Sequence, residues 1–197
     1  MKFKLLGTEI YISFLFAAVV TLMLATDRTG MILPTLFAVI MHEIGHLFAM
    51  WVLDCTPKRI KLIPASVQIT SPFTKRYKND VIIALCGPLV NLILFLTLYF
   101  NYLAFKNQLT LCYALLNLII FSFNSLPVNG LDGGTLLKAL LSKQYGPDKA
   151  AVSVKIITIV VSASVITVAV VLAIKKSLNI SLFVIGIYLF IMSLLNK

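Results

Sequence analysis

The sequence predicts an all-α integral membrane protein of about six transmembrane helices, with a short membrane-associated β segment after the second. Three observations predict it. Of the 197 residues 60% are hydrophobic, and the mean hydropathy is +1.00. Only 12% are charged, about half the share of roughly 25% usual in a soluble domain. The charges are also grouped, leaving long uncharged runs between them. An apolar surface of that extent is stable against lipid and not against water.

The runs cover Ile10–Thr26, Thr29–Leu53, Val81–Phe105, Asn107–Leu131, Ile156–Ile174 and Ser177–Asn196. A helix needs roughly 17–25 residues to cross the hydrocarbon, so each run qualifies. The first follows Lys2 and Lys4 as a signal peptide would, but Glu9 precedes its apolar part and no small-x-small cleavage site follows. It is read as a retained span. No internal repeat and no polar linker divides the chain, which is expected to form one membrane-embedded domain over residues 1–197. Within the longest loop, Val67 and Ile69 alternate with Ser66, Gln68 and Thr70, and Pro64 stops a helix. Ile60–Thr70 is therefore the β segment.

Six spans place both termini on one side. With that side cytoplasmic, the inner segments hold Lys2, Lys4, Lys58, Arg59, Lys61, Lys75, Arg76, Lys78, Lys138, Lys143, Lys149, Lys155 and Lys197. The outer segments hold only Arg28, Lys106, Lys175 and Lys176. Cations gather on the cytoplasmic side of membrane proteins, so both termini are expected there in a multi-pass protein of the cell membrane. The net charge of +10 thus belongs to clusters beside hydrophobic runs, drawn to anionic lipid headgroups. No continuous basic face remains for nucleic acid. Cys55, Cys86 and Cys112 are odd in number and widely spaced, and read as packing residues.

Chemistry enters in the second span, at His42-Glu43-Ile44-Gly45-His46. Residues four apart share a helix face, so both imidazoles can reach one ion. Glu43 lies close enough to take a proton from a water on that ion, whose pKa zinc lowers to about 7. Two histidines scattered at random through this chain would fall four apart about once in a hundred arrangements. Ionisable groups inside a span are also costly, which favours function over packing. A zinc held by two histidines needs a third protein ligand and an open position for water. Asp27, Asp54, Asp80 and Asp148 sit in polar loops, and Glu9 opens the first span. Asp132 alone ends a long apolar run, in Leu131-Asp132-Gly133-Gly134. Taken alone it is equally a turn acid; beside a site short of one ligand, the ligand reading prevails.

His42-Glu43-Ile44-Gly45-His46, with Asn124-Ser125-Leu126-Pro127-Val128-Asn129-Gly130-Leu131-Asp132-Gly133-Gly134, resembles the site-2 protease family of intramembrane zinc metalloproteases. Gly87-Pro88-Leu89-Val90-Asn91 is similar to that family's Gly-Pro-x-x-Asn element. The resemblance implies one Zn2+ per chain on His42, His46 and Asp132, with Glu43 as catalytic acid and base. It also implies that Asn124 and Asn91 lie beside the site, binding substrate or its transition state. Many members carry proline where Gly130 stands, so the backbone approaching Asp132 is expected to differ. A PDZ-like insertion or a nucleotide-sensing domain does not fit in this length, so regulation is expected from a separate protein.

The residues other than the ligands leave two roles open. Asn124 fits an oxyanion donor, and equally a polar bond between helices. Gly87-Pro88 fits a gate or a packing kink. The expected function is intramembrane proteolysis of a membrane-spanning or membrane-associated protein, with Ile60–Thr70 offering an edge for strand addition. The other reading is a non-hydrolytic metal-dependent scaffold or ion carrier with the same ligands. Glu43 separates them, since only a hydrolase needs a non-ligating acid beside the metal.

Overall fold

The computed structural model describes residues 2–5, 8–57, 59–63, 66–70, 77–175 and 180–195. Lys58, Lys75, Arg76, Lys176 and Lys197 of the charge asymmetry, and Pro64 of the β segment, lie outside them. Helices dominate, as expected, and a sheet accompanies them. The described residues form four strands and seven helices: β1 (Lys2–Leu5), β2 (Thr8–Ile12), α1 (Phe14–Thr26), α2 (Ile32–Val52), β3 (Arg59–Ile63), β4 (Ser66–Thr70), α3 (Tyr77–Phe105), α4 (Gln108–Asn124), α5 (Asp132–Tyr145), α6 (Pro147–Ile174) and α7 (Ile180–Leu195). Packing divides the chain into two units, residues 1–121 and 122–197.

Among the described residues three helices are long and apolar enough to cross a membrane: α2 with 21 residues, α3 with 29 and α6 with 28. The remaining expected spans are shorter apolar helices, with α1 at 13 residues and α4 at 17. Two corrections explain the difference. Residues 10–12, read as the start of the first span, belong instead to β2, and Ser13 caps α1 through its Oγ, which accepts from the Phe16 N–H at 3.1 Å. The run 107–131 stops being helical at Asn124. Its last residues turn and lead into α5, a helix too polar to have been read from hydropathy.

The β segment is also larger than expected. The sheet has the order β1-β2-β3-β4, and β2 pairs parallel with β3 across the whole of α1 and α2. Register sets Lys4, Glu9 and Arg59 side by side, and Lys2, Tyr11 and Lys61 in the next row. Arg59 donates to Glu9 from Nε at 3.1 Å and Nη2 at 2.9 Å, and holds that carboxyl below its ordinary range. Strand β4 is the outer edge beyond β3.

Between α1 and α2 one carboxylate organises the turn. Asp27 Oδ1 accepts from the Thr29 and Gly30 N–H groups at 2.9 and 3.0 Å, and Oδ2 accepts from the Ile32 N–H at 3.0 Å. These donors hold Asp27 below the usual carboxylate pKa. At its other end α2 closes in a Schellman motif, with Asp54 at φ 53° and the Cys55 N–H bonded to Met50 C=O at 2.8 Å.

Helix α2 has two unlike faces. Ile40, Ile44, Phe48 and Trp51 are exposed, whereas Ala38, His42, Gly45, His46 and Ala49 are buried. Large apolar residues outside and small or polar ones inside is the pattern of a helix facing lipid, where small residues let backbones approach. The partner is α3, whose buried stripe is Ala84, Gly87, Pro88 and Asn91. The approach is close: a Cβ on Gly45 would lie 2.7 Å from the Cys86 carbonyl oxygen.

In the second unit, Val128, Leu131 and Leu189 form a buried cluster with Phe123, Leu126, Val161 and Tyr188 against it. Thr158, fully buried on α6, accepts from the Asn129 N–H at 2.8 Å and donates to Val154 C=O at 2.8 Å. It ties the loop before α5 to α6.

Candidate metal centre

Helical spacing delivers the two histidines to one place. His42 and His46, one turn apart on the buried face of α2, are 5% and 7% exposed. Their Nε2 atoms stand 3.1 Å apart. Two nitrogens on one tetrahedral zinc, each about 2.0–2.1 Å away, would stand roughly 3.3 Å apart. The pair therefore fits a shared ion.

The far side of each ring is occupied. His46 Nδ1 lies 2.7 Å from Ile83 C=O. A carbonyl only accepts, so this nitrogen carries the hydrogen and Nε2 keeps its lone pair. His42 Nδ1 lies 2.6 Å from Asn91 Oδ1. Asn91, fully buried, donates through Nδ2 to Ala38 C=O at 3.1 Å and to Asn117 Oδ1 at 3.0 Å. Its oxygen is thus the atom turned to His42, which makes Nδ1 the donor there too. Metal-binding histidines in general give their other N–H to such partners, fixing tautomer and ring orientation.

Gly87 supplies the space. A Cβ there would collide with His46 Nε2 and lie 2.9 Å from His42 Nε2. The next residue, Pro88, has no N–H for the Ala84 carbonyl, so α3 carries a break in its hydrogen bonding beside the histidines.

The first unit thus brings together His42, His46 and Asn91, with half-buried Glu43 following His42 on α2. Asn91, expected to meet substrate, bonds through its amide to His42, Ala38 and Asn117. Asn117 and the Ile83 carbonyl were not anticipated. The available signal was a lone amide in the apolar run before Asn124, since buried polar groups in spans carry either packing or function.

The second unit holds Asp132 and Asn124. Asp132, half-buried, is the first residue of α5. Its approach is set by backbone. Gly130 has φ +92°, a conformation closed to proline, so the departure from the family pattern is structural. Gly133 and Gly134 are buried so tightly that a Cβ on either would collide with carbonyls of Ser125 and Leu126 or of Val128. Asn124 is the last residue of α4 and half-buried.

No protein-family model matches the chain. It is 30% identical over 157 residues to a zinc metalloprotease of Methanocaldococcus jannaschii, covering 73% of this chain and 46% of that protein. It is 30% identical over 131 residues to stage IV sporulation protein FB of Bacillus subtilis, covering 64% of this chain and 46% of that protein. The chain therefore spans just under half the length of both relatives. Among solved structures it matches a site-2 protease from Methanocaldococcus jannaschii with a TM-score of 0.70 and 23% identity, over 98% of this chain and 93% of that one. This likeness shows a shared fold.

Proposed function

Because the chain belongs to the site-2 protease family, we propose that it is an intramembrane zinc metalloendopeptidase acting on a membrane-spanning or membrane-associated protein. The observation that carries this reading is the pair of Nε2 atoms 3.1 Å apart, each on a ring whose Nδ1 is already bonded. His42, His46 and Asp132 are the donor set we assign to one zinc per chain. When bound, the ion supplies Lewis acidity toward the scissile carbonyl and toward water.

The residues perform the rest. Glu43 accepts a proton from the attacking water as oxygen bonds to the carbonyl carbon, then delivers it to the departing amine as the C–N bond breaks. Asn124 donates its amide to the developing oxyanion. Substrate binds extended, since a helix buries its carbonyls in its own hydrogen bonds, and β4 offers its open edge as the template. Cytoplasmic termini put the histidines on the inner side of the bilayer: His46 is seven residues before Leu53, so roughly 10 Å deep at 1.5 Å per residue. Control by a separate protein completes the reading.

The test uses purified protein, metal analysis and a cleavage assay on a single-span substrate. Glu43→Gln keeps the shape and cannot accept the proton. It is expected to retain close to one zinc, to bind substrate and to cleave nothing. Cleavage by that variant would remove Glu43 from the mechanism, whereas a zinc-loaded wild type that cleaves nothing would leave the non-hydrolytic carrier as the better reading.

A further inference from the structure

Asn117 lies on α4, seven residues before Asn124 and outside every motif considered above, yet it is 5% exposed and hydrogen-bonded at both ends of its amide. Its Nδ2 donates to Tyr113 C=O at 2.9 Å, and its Oδ1 accepts from Asn91 Nδ2 at 3.0 Å. We propose that Asn117 is a positioning residue of the metal site: it orients the Asn91 amide so that the oxygen meets His42 Nδ1, which puts the ring hydrogen on Nδ1 and the lone pair on Nε2, the atom that would bind the ion. The proposal rests on the zinc reading of His42.

Some groups in this network cannot change roles. A backbone carbonyl only accepts. Tyr113 C=O therefore obliges Asn117 to present its NH2 there and its oxygen to α3. Asn91 must then offer NH2 to Asn117, which agrees with the separate demand of Ala38 C=O. Both hydrogens of the Asn91 amide are taken, and only its oxygen is left for His42. A flipped Asn91 would set its oxygen against two acceptors at a site of 0% exposure, where no water relieves the mismatch. The flip would also put NH2 against His42 Nδ1. The ring would then carry its hydrogen on Nε2, the atom that must bind metal.

Ala38 alone holds this orientation less firmly. Its carbonyl satisfies only one of the two amide hydrogens. Asn117 satisfies the other. The direction of three hydrogen bonds is thus set by a residue two partners away from the ion. A packing role would need the volume of Asn117 and no particular donor or acceptor.

The experiment compares wild type, His42→Ala, Asn117→Leu and Asn117→Asp as full chains in detergent. Zinc affinity is read by competition with a chromophoric chelator, the site's geometry by the visible spectrum with Co2+, and the His42 tautomer by 15N shifts. Asn117→Leu should weaken zinc about tenfold, at the low end for partners outside the coordination sphere, shift the cobalt bands, and mix the His42 tautomers. Asn117→Asp, protonated when buried, donates to Tyr113 C=O and accepts from Asn91, and should restore all three readouts. Wild-type affinity and spectrum in Asn117→Leu would overturn the proposal, and so would equal losses in Leu and Asp. If Asn117→Leu does not fold, Asn117→Ser replaces it with the same outcomes. Equal zinc binding by wild type and His42→Ala would overturn the metal assignment itself, a failure distinct from that of the relay.

Discussion

The two units present their candidate ligands by opposite means. In the first, the histidines sit on an uninterrupted helix and side chains orient them: Asn91, Asn117 and the Ile83 carbonyl fix each ring through its far nitrogen. In the second, Asp132 begins a helix after an irregular passage, and backbone places it. Gly130 turns through φ +92°, Gly133 and Gly134 press on carbonyls, and Thr158 holds the Asn129 N–H. A neutral imidazole can offer either nitrogen, so it needs a partner to choose. A carboxylate offers equivalent oxygens and needs only to be brought to the right place. The first unit should therefore be sensitive to hydrogen-bond chemistry and the second to backbone clearance.

The largest expected effect tests whether the two halves serve one site. If the donor set proposed above holds, Ala at His42, His46 or Asp132 should each abolish cleavage and remove bound zinc together, because each would take one of three ligands from the ion. Asp132→Ala with full zinc and full activity would break the comparison, leaving the second unit without a ligand. Gly134→Ala is next. Its methyl group meets the Val128 carbonyl, and overpacking of this kind costs about 1–3 kcal/mol. Thermal melting should fall, and cleavage with it, more than for alanine at an exposed glycine. An unchanged melting temperature would show that the passage has slack.

Thr158→Val sharpens the same point at smaller cost. The shape is kept and the acceptor for the Asn129 N–H is lost, a buried donor left unmade being worth about 1–3 kcal/mol. Cleavage should drop while the fold persists, and a melt matching wild type would relieve Thr158 of its role. The edge strand gives a third kind of test, in which neither ligand half is touched. Proline at Val67 or Gln68 should reduce cleavage with zinc content normal, since it withdraws a backbone donor from β4. Unchanged cleavage in both would leave β4 out of substrate binding.

The smallest effect belongs to Asp27. Its pKa is lowered in the folded protein by donors in the α1–α2 turn. The linked stability is fully present above the unfolded carboxylate value and lost as pH falls through the folded one. Asp27→Asn should thus be slightly less stable than wild type at neutral pH, and the difference should shrink in acid as Asp27 of the wild type protonates. An identical acid limb in both proteins would detach Asp27 from that turn.

How much could be read beforehand follows from how local each feature is. His42 and His46 were legible because helical periodicity alone puts them on one face. Asp132 was legible as a residue, through its apolar run and two glycines, whereas the path that carries it depends on contacts with Ser125–Asn129 that no spacing encodes. Helix α5 was missed because Lys138, Lys143 and Gln144 hide it from hydropathy. Strands β1 and β2 were missed because β2 pairs with β3 some fifty residues away, and four or five residues of alternation cannot announce so distant a partner. Asn91 was found through its motif but its bonds to His42, Ala38 and Asn117 were not, because a sequence names an amide without saying which end faces what.

Gly87 carries one more consequence. The volume a methyl group would fill there lies against both Nε2 atoms, the place an ion would take. Carbon and metal compete for that space, and a carbon attached to the backbone does not dissociate. Gly87→Ala would act as an inherited stopper, giving a chain that stays metal-free in a zinc-rich cell without any added chelator, and so a way to hold a substrate complex still long enough to observe it.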